Sequence, residues 1–303
     1  MKDILEEIVA WKRLEVGQQK EICPPRQLYA EVEGIMAKGV TKRSMKESLN
    51  GSPYGIIAEF KRKSPSKGWI HPDVEPEQVV PLYARNGASA LSILTDEKYF
   101  GGSLDYIKSV TSTLLPPTSS PIPILRKDFI IDEYQLFQAR QVGADAVLLI
   151  AADLTKQECK ALTRTAHELG LEVLLEMHDE RELDYAELDV DMLGINNRNL
   201  GTFHTDVQNS FRLAEQLPKD KVRISESGIS QPETIVQLRA TGFRGFLIGE
   251  TFMKEADPGL ALQQFIKNLE ALESLDNLEN LDNLDSLGSL GNLGNLGKLE
   301  KPW

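Results

Sequence analysis

Eight short apolar segments, separated by longer amphipathic ones, constrain the fold of this 303-residue chain more than any other feature. They are GIIAEF (55–60), ALSILT (90–95), PILRKDF (123–129), AVLLIA (146–151), EVLLEM (172–177), MLGINN (192–197), VRISES (222–227) and GFLIGE (245–250). Nearly continuous apolar runs are typical of parallel strands that are buried on both faces. The intervening segments, such as DEYQLFQARQVG and TKQECKALTRTAHELG, have helical periodicity and end at glycine, a common helix stop.

Eight strand-then-helix units favour a closed (β/α)₈ barrel, the TIM barrel, over an open doubly wound sheet. The open sheet would be supported by a G-x-G-x-x-G after an early strand, and the sequence has none. We therefore predict a barrel over residues 51–270 and a helical extension, packed on the barrel, over residues 1–50. An apolar stripe at three- or four-residue steps indicates helix in this extension: Ile4, Ile8, Trp11 and Leu14.

Residues 271–303 form a leucine-rich, low-complexity tail in which leucine recurs at every third position. A three-residue step advances a helix by about 300°, so the leucines drift around the axis and form no fixed apolar face. Repeated glycines weaken any helix further. We predict that the tail is disordered or partly helical and has no catalytic role; the alternative is a partner-binding segment.

Composition narrows the functional classes. A formal net charge of -12 argues against non-specific binding to nucleic acid or to an anionic membrane surface. Cys23 and Cys159 lack ligand-type spacing and indicate reduced thiols in a cytoplasmic protein. No signal peptide or membrane-spanning run is evident. Neither a P-loop nor a dinucleotide motif occurs, so we expect no organic cofactor. We also expect no metal, because the four histidines are scattered along the chain; they are His71, His167, His178 and His204.

Polar or charged side chains follow seven of the eight predicted strands. In a barrel of this kind the chemistry gathers at the carboxyl ends of the strands, so these groups converge on one face. A lone charge at such a position is usually a rim ion pair, but seven together predict an active site. The fourth strand is the exception, and its Leu148 and Ile150 can supply an apolar wall. The candidates are Glu59, Lys61, Ser64, Lys127, Glu176, Asn196, Arg198, Ser227, Gly228, Gly249 and Glu250.

Two chemical roles follow from these positions. The loops after strands seven and eight form the recurring phosphate site of the architecture, although their glycines would also suit simple tight turns. Lys127 and Glu176 suggest acid–base chemistry, because nearby cations and burial lower the pKa of a lysine and an apolar pocket raises that of a carboxyl. Lys61 is a second candidate, either for an anionic group or as a proton donor.

The motifs IAEFKRKSPSKG, ILRKDFIIDEYQ, LLEMHDEREL, GINNRNL, SESGI and FLIGETFM together resemble the indole-3-glycerol-phosphate synthase family. The resemblance covers about residues 1–270. It implies that the chain is a carbon–carbon lyase of tryptophan biosynthesis that needs no cofactor. The substrate would be 1-(2-carboxyphenylamino)-1-deoxyribulose 5-phosphate, and the products indole-3-glycerol phosphate, CO₂ and water.

The same resemblance implies a role for each candidate. Lys127 would protonate the ribulose carbonyl, Glu176 would be the base for dehydration, and Lys61 would hold the substrate carboxylate or act as a second acid. Glu59 and Asn196 would orient these groups. Binding positions would be Ser64 and Arg198 at the pocket, Ser227, Gly228, Gly249 and Glu250 at the phosphate, and Phe100, Phe129, Leu148 and Leu200 around the anthranilate ring.

Other interpretations remain open. Phosphoribosylanthranilate isomerase and the tryptophan synthase α chain are also phosphate-binding barrels, but the Lys61, Lys127 and Glu176 set argues against both. A non-catalytic barrel that binds a sugar phosphate and acts through its leucine tail is a rival of another class. We expect a monomer that binds a phosphorylated small molecule, with association through the tail as the alternative.

Overall fold

The computed structural model describes residues 4–39, 43–114, 122–199 and 201–291, with side chains up to Leu275. Eight parallel strands close a barrel in which β1 pairs with both β2 and β8. The strands are β1 Ile56–Phe60, β2 Ala90–Leu94, β3 Ile124–Lys127, β4 Ala146–Ile150, β5 Glu172–Met177, β6 Met192–Asn196, β7 Val222–Glu226 and β8 Gly245–Ile248. All eight lie where the apolar segments predict them, which confirms the TIM barrel.

Helices precede, separate and follow the strands. They are α1 Ile4–Ile22, α2 Pro25–Ala37, α3 Met45–Gly51, α4 Pro76–Arg85, α5 Asp105–Thr113, α6 Glu133–Val142, α7 Lys156–Glu168, α8 Gln208–Leu213, α9 Pro232–Ala240, α10 Glu250–Met253 and α11 Pro258–Gly291. Two 3₁₀ helices, Glu180–Glu187 and Ala214–Gln216, and a small hairpin, Lys63–Ser64 with Gly68–Trp69, complete the elements.

Local sequence determines where the helices begin. The side chains of Asp132 and Gln135 cap the first turn of α6 reciprocally, and Thr155 and Glu158 do the same for α7. Pro76 starts α4, where a missing N–H leaves no hydrogen bond unmade. Because the strands of the closed barrel pair in parallel, their carboxyl ends lie together at one face.

The amino-terminal helices contact both ends of the barrel. At the start of β5, Glu172 accepts hydrogen bonds from the Ser44 hydroxyl (2.5 Å) and the Met45 N–H (2.7 Å), which places α3 under the amino ends of the strands. At the other end, α1 lies over the barrel mouth. Its buried face consists of Leu5, Ile8, Val9, Lys12 and Val16.

The apolar stripe predicted for α1 is wrong at Leu14, which is 61% exposed. The buried face instead contains a lysine, Lys12, whose side chain is only 1% exposed. Its ammonium lies 2.9 Å from carboxylate oxygens of both Asp96 and Asp128. A charge that is paired in this way belongs to the interior, and an apolar periodicity does not reveal it.

The last helix, α11, packs against α4 and α9 and extends into the leucine-rich segment. Leu269 is fully buried, and Glu270 accepts a hydrogen bond of 2.6 Å from the Tyr54 hydroxyl. Glu273 forms an ion pair with Arg239 on α9. The prediction that residues 271–303 are disordered or partly helical stays a prediction, and residues 292–303 lie outside the described part of the chain.

Candidate active site

One pocket opens at the carboxyl ends of the strands, and a second adjoins it through shared walls. Eleven predicted residues line the first: Glu59, Lys61, Ser64, Phe100, Lys127, Phe129, Leu148, Glu176, Asn196, Arg198 and Ser227. Gly228, Gly249 and Glu250 line the second, which shares Lys61, Arg198 and Ser227 with the first. Leu200, predicted at the aromatic ring, lies outside the described residues.

Lys127 is the centre of the first pocket. Its Nζ lies 2.7 Å from Glu176 Oε2 and 2.5 Å from Glu226 Oε2, and both carboxylates are almost completely buried. The three side chains come from the ends of β3, β5 and β7, so they meet across the barrel. Sequence reasoning gave no role to Glu226, although its position at the end of β7 was a sufficient signal.

The expected pKa shifts of Lys127 and Glu176 are wrong in direction. Burial alone would lower the pKa of Lys127, but the carboxylates of Glu176, Glu226 and Glu59 outweigh it and raise that pKa. Burial alone would raise the pKa of Glu176, but Lys127 and His178 hold it well below its ordinary range. Ion pairing therefore outweighs desolvation at both groups.

Glu226 has the raised pKa that the sequence suggested for Glu176. Burial raises the pKa of Glu226 to about 8; Lys127 acts in the opposite direction, and the charge of Glu176 adds to the rise. Two carboxylates that share one lysine repel each other, so one of them retains a proton near neutral pH. The two carboxylates on either side of the Lys127 ammonium thus have pKa shifts of opposite direction, lowered for Glu176 and raised for Glu226.

Two glycines make room for the site carboxylates. A Cβ on Gly194 would lie 2.2 Å from Glu226 Oε1, and a Cβ on Gly249 would lie 2.4 Å from Glu59 Oε1. Glu59 in turn contacts Lys61 Nζ at 2.7 Å. Any larger residue at either glycine would push its carboxylate away from the lysine that it contacts.

Apolar side chains form one wall of the first pocket. The rings of Phe100 and Phe129 lie 6.0 Å apart at a tilt of 39°. The N–H of Phe100 donates to Asp96 Oδ1 at 3.2 Å, which fixes its loop. Leu148 and Ile150 of β4 continue the wall, as the sequence predicts, and Ile4, Leu5 and Ile8 of α1 line the same pocket. This wall suits a planar aromatic group.

The second pocket combines cations with a strained backbone. Lys67, Arg198 and Lys254 line it, and Glu250 forms ion pairs with Lys67 (2.5 Å) and Arg198 (3.6 Å). Ser227 has a φ of 69° and Gly228 a φ of 78°. A non-glycine residue rarely adopts this conformation, and such strain is concentrated at ligand sites. Together the two pockets suit acid–base chemistry on an aromatic, anionic substrate.

Comparison with known proteins identifies the family. A family model described as indole-3-glycerol phosphate synthase matches residues 5–267. The indole-3-glycerol phosphate synthase of Bacteroides thetaiotaomicron is 59% identical over 270 residues, which cover 89% of this chain and 100% of that protein. The chain belongs to the indole-3-glycerol phosphate synthase family. The synthase of Neisseria gonorrhoeae is 44% identical over 264 residues, which cover 86% of this chain and 97% of the relative.

The family match confirms the resemblance seen in the sequence. Indole-3-glycerol phosphate synthases are carboxy-lyases of tryptophan biosynthesis.

Solved structures add the barrel architecture alone. The 3-hexulose-6-phosphate synthase of Salmonella typhimurium has a TM-score of 0.55 at 16% identity, over 72% of this chain and 99% of that one. The tryptophan synthase α subunit of Legionella pneumophila has a TM-score of 0.54 at 15% identity, over 77% and 98%.

Within the described part of the chain, no helix is both long enough and apolar enough to cross a membrane.

His178 is a further residue that sequence reasoning missed. It follows β5 two positions after Glu176, and residues two apart on a strand point to the same side. Its Nε2 lies 3.1 Å from Glu176 Oε1. That spacing was the available signal, but the sequence alone made the histidine look isolated because no metal-ligand pattern includes it.

Proposed function

We propose that Lys127, Glu176 and Glu226 carry the ring closure by which the synthases of this family form indole-3-glycerol phosphate. The observation that carries the proposal is the Lys127 ammonium between two buried carboxylates. An aromatic wall on one side and a cation-lined pocket on the other support it, since the substrate has an aryl group and a phosphate.

The substrate would span both pockets. Its phosphate would bind beside Lys67, Arg198 and the loops that contain Ser227, Gly228, Gly249 and Glu250, where it would compete with the Glu250 carboxylate for the cations. Its aryl ring would pack against Phe100 and Phe129. Lys61 would contact the aryl carboxylate, and Glu59 and Asn196 would orient Lys61 and Arg198. Binding at both ends fixes the reacting carbons in between.

In the first step the ring carbon that bears the carboxylate attacks the ribulose carbonyl carbon. Lys127 donates a proton to the carbonyl oxygen as the new carbon–carbon bond forms. Loss of CO₂ then returns the bonding electron pair to the ring. In the last step the hydroxyl group is protonated and leaves as water, while Glu176 accepts a proton from the intermediate. Lys61 is the alternative to Lys127 as the proton donor of the first step.

The assay follows indole fluorescence with the carboxyphenylamino-deoxyribulose phosphate as substrate. We expect Lys127→Met to lower kcat by about 10²–10⁴-fold, the usual contribution of a positioned acid. Lys156→Met is the matched control, since Lys156 pairs with Asp184 and Glu187 on the surface, and it should leave kcat unchanged. Full activity of Lys127→Met would refute the proposed acid.

We also propose that the enzyme is monomeric and cytoplasmic; the two free cysteines support a reducing compartment. Sedimentation over a range of concentrations tests the oligomeric state. A mass of twice the chain's 33.8 kDa would contradict a monomer.

A further inference from the structure

The two carboxylates that share Lys127 are not equivalent. Both lie within 2.7 Å of its Nζ. Glu176 has a second contact of opposite charge, because His178 Nε2 lies 3.1 Å from its Oε1. The corresponding Oε1 of Glu226 is buried without a hydrogen-bond partner and faces Gly194. His178 is therefore the structural difference between the two carboxylates.

The structure holds His178 firmly in this place. Its backbone N–H donates to Glu182 Oε2 at 2.6 Å, and its carbonyl accepts from Asn209 Nδ2 at 2.8 Å. Its Nδ1 lies 3.6 Å from Glu182 Oε2. Each ring nitrogen thus faces one carboxylate, Nε2 that of Glu176 and Nδ1 that of Glu182. Burial tends to lower the pKa of His178, but these two carboxylates outweigh it and raise the pKa to about 10.

We propose that His178 is a positioning residue that keeps Glu176 the ionised member of the Glu176–Glu226 pair and so leaves the proton on Glu226. The charged groups that face Glu176 are Lys127 from β3, Glu226 from β7 and His178. Glu59 affects Glu176 indirectly, because its charge helps to raise the pKa of Lys127. With one lysine between two carboxylates, a cation beside one of them decides which is charged. Glu176 would then be ionised at neutral pH, as the base of the dehydration step must be.

This inference rests on the proposed role of Glu176 as the base. His178 is not among the residues that line either pocket, and Glu176 is the pocket residue that its imidazole contacts. A residue with that role changes kcat and its pH dependence but leaves KM nearly constant. A residue that only supports the fold would change stability without moving the pH profile.

The experiment compares His178→Gln with the wild-type enzyme over a range of pH. We expect the acid limb of the kcat profile to move up by about one pH unit, with KM within about twofold, because Glu176 loses its neighbouring cation. At the original midpoint kcat should fall about fivefold, because the ionised fraction of Glu176 drops from one half to about one eleventh. His167→Gln is the matched control: His167 contacts Asp191 at 2.9 Å on the surface, and its removal should not move the profile.

An NMR titration of the wild-type protein needs no variant to fold. The imidazole of His178 should remain protonated at about pH 8, where an ordinary histidine is neutral. Titration of His178 near the ordinary value, or an unmoved acid limb in an active His178→Gln enzyme, would overturn the inference. Failure of the proposed function is distinct, because the wild-type enzyme would then form no product.

Discussion

At the scale of single residues, the site depends on how three groups share charge. Lys127 contacts Glu176 and Glu226 at almost equal distances, yet the two carboxylates have opposite pKa shifts. The lowered pKa of Glu176 suits a base, and the raised pKa of Glu226 supplies a second proton close to Lys127. If Lys127 is the proton donor, as proposed, Glu226 is the adjacent acid that would return a proton to it.

The pKa of Glu226 leads to a prediction about stability. Because its folded-state value of about 8 exceeds the ordinary 4.5, the folded protein retains this proton where the unfolded chain loses it. The stabilisation is complete below pH 4.5 and is lost as pH rises through 8. We expect the unfolding free energy of Glu226→Gln, relative to wild type, to increase between these values and then to level off. Urea unfolding at several pH values measures it.

Glu176→Gln is the matched comparison, with the opposite sign. The pKa of Glu176 is lowered, so its stabilisation is present above pH 4.5 and is lost as pH falls through the folded-state value. The difference between Glu176→Gln and wild type should therefore change on the acid side only. A Glu226→Gln curve parallel to that of wild type between pH 4.5 and 8 would contradict the charge assignment.

At the scale of elements, the buried Lys12 connects the covering helix α1 to two active-site loops. Its ammonium contacts Asp96, Asp128 and Glu15 within 3.0 Å. Asp96 also fixes the loop of Phe100, and Asp128 accepts a hydrogen bond from the N–H of Phe129. One lysine thus aligns α1 with both rings of the aromatic wall.

We predict that Lys12→Met destabilises the protein by about 3–5 kcal/mol, since it leaves buried carboxylates without their cation. KM should rise more than kcat falls, because the aromatic wall loses its alignment. Lys20→Met on the same helix is the control: Lys20 pairs with Asp132 in a partly exposed contact, and its loss should be worth under about 1 kcal/mol. Thermal unfolding and steady-state kinetics test both, and equal stability of the two variants would contradict the prediction.

The strands were predictable and the charge network was not, for a physical reason. Strand positions follow from local apolar runs, so all eight could be placed from the sequence. Lys127 meets partners 49 and 99 residues away, and only the closed barrel brings them together. Lys12 lies in a helical pattern where a charge normally indicates solvent, and its buried partners Asp96 and Asp128 are likewise remote in sequence. The residue types at the site were therefore predictable, but their charge states were not.

At the scale of the whole molecule, α11 ties the carboxyl-terminal segment to the barrel up to Glu273. Leu269 is buried, Glu270 contacts Tyr54, and Glu273 contacts Arg239. None of the residues that line the two active-site pockets comes from α11. The described contacts thus assign the helix up to Glu273 to stability, and we predict that the leucine repeat beyond it has no part in catalysis.

Two truncations test this division. Deletion of residues 276–303 keeps all three of those contacts and should leave kcat, KM and the melting temperature unchanged. Deletion of residues 268–303 also removes Leu269, Glu270 and Glu273, and should destabilise the protein by about 2–5 kcal/mol, as expected when a buried leucine is lost. Sedimentation of the shorter deletion shows whether the leucine repeat mediates association. Loss of activity in the 276–303 deletion would contradict this prediction and give the repeat a role in catalysis.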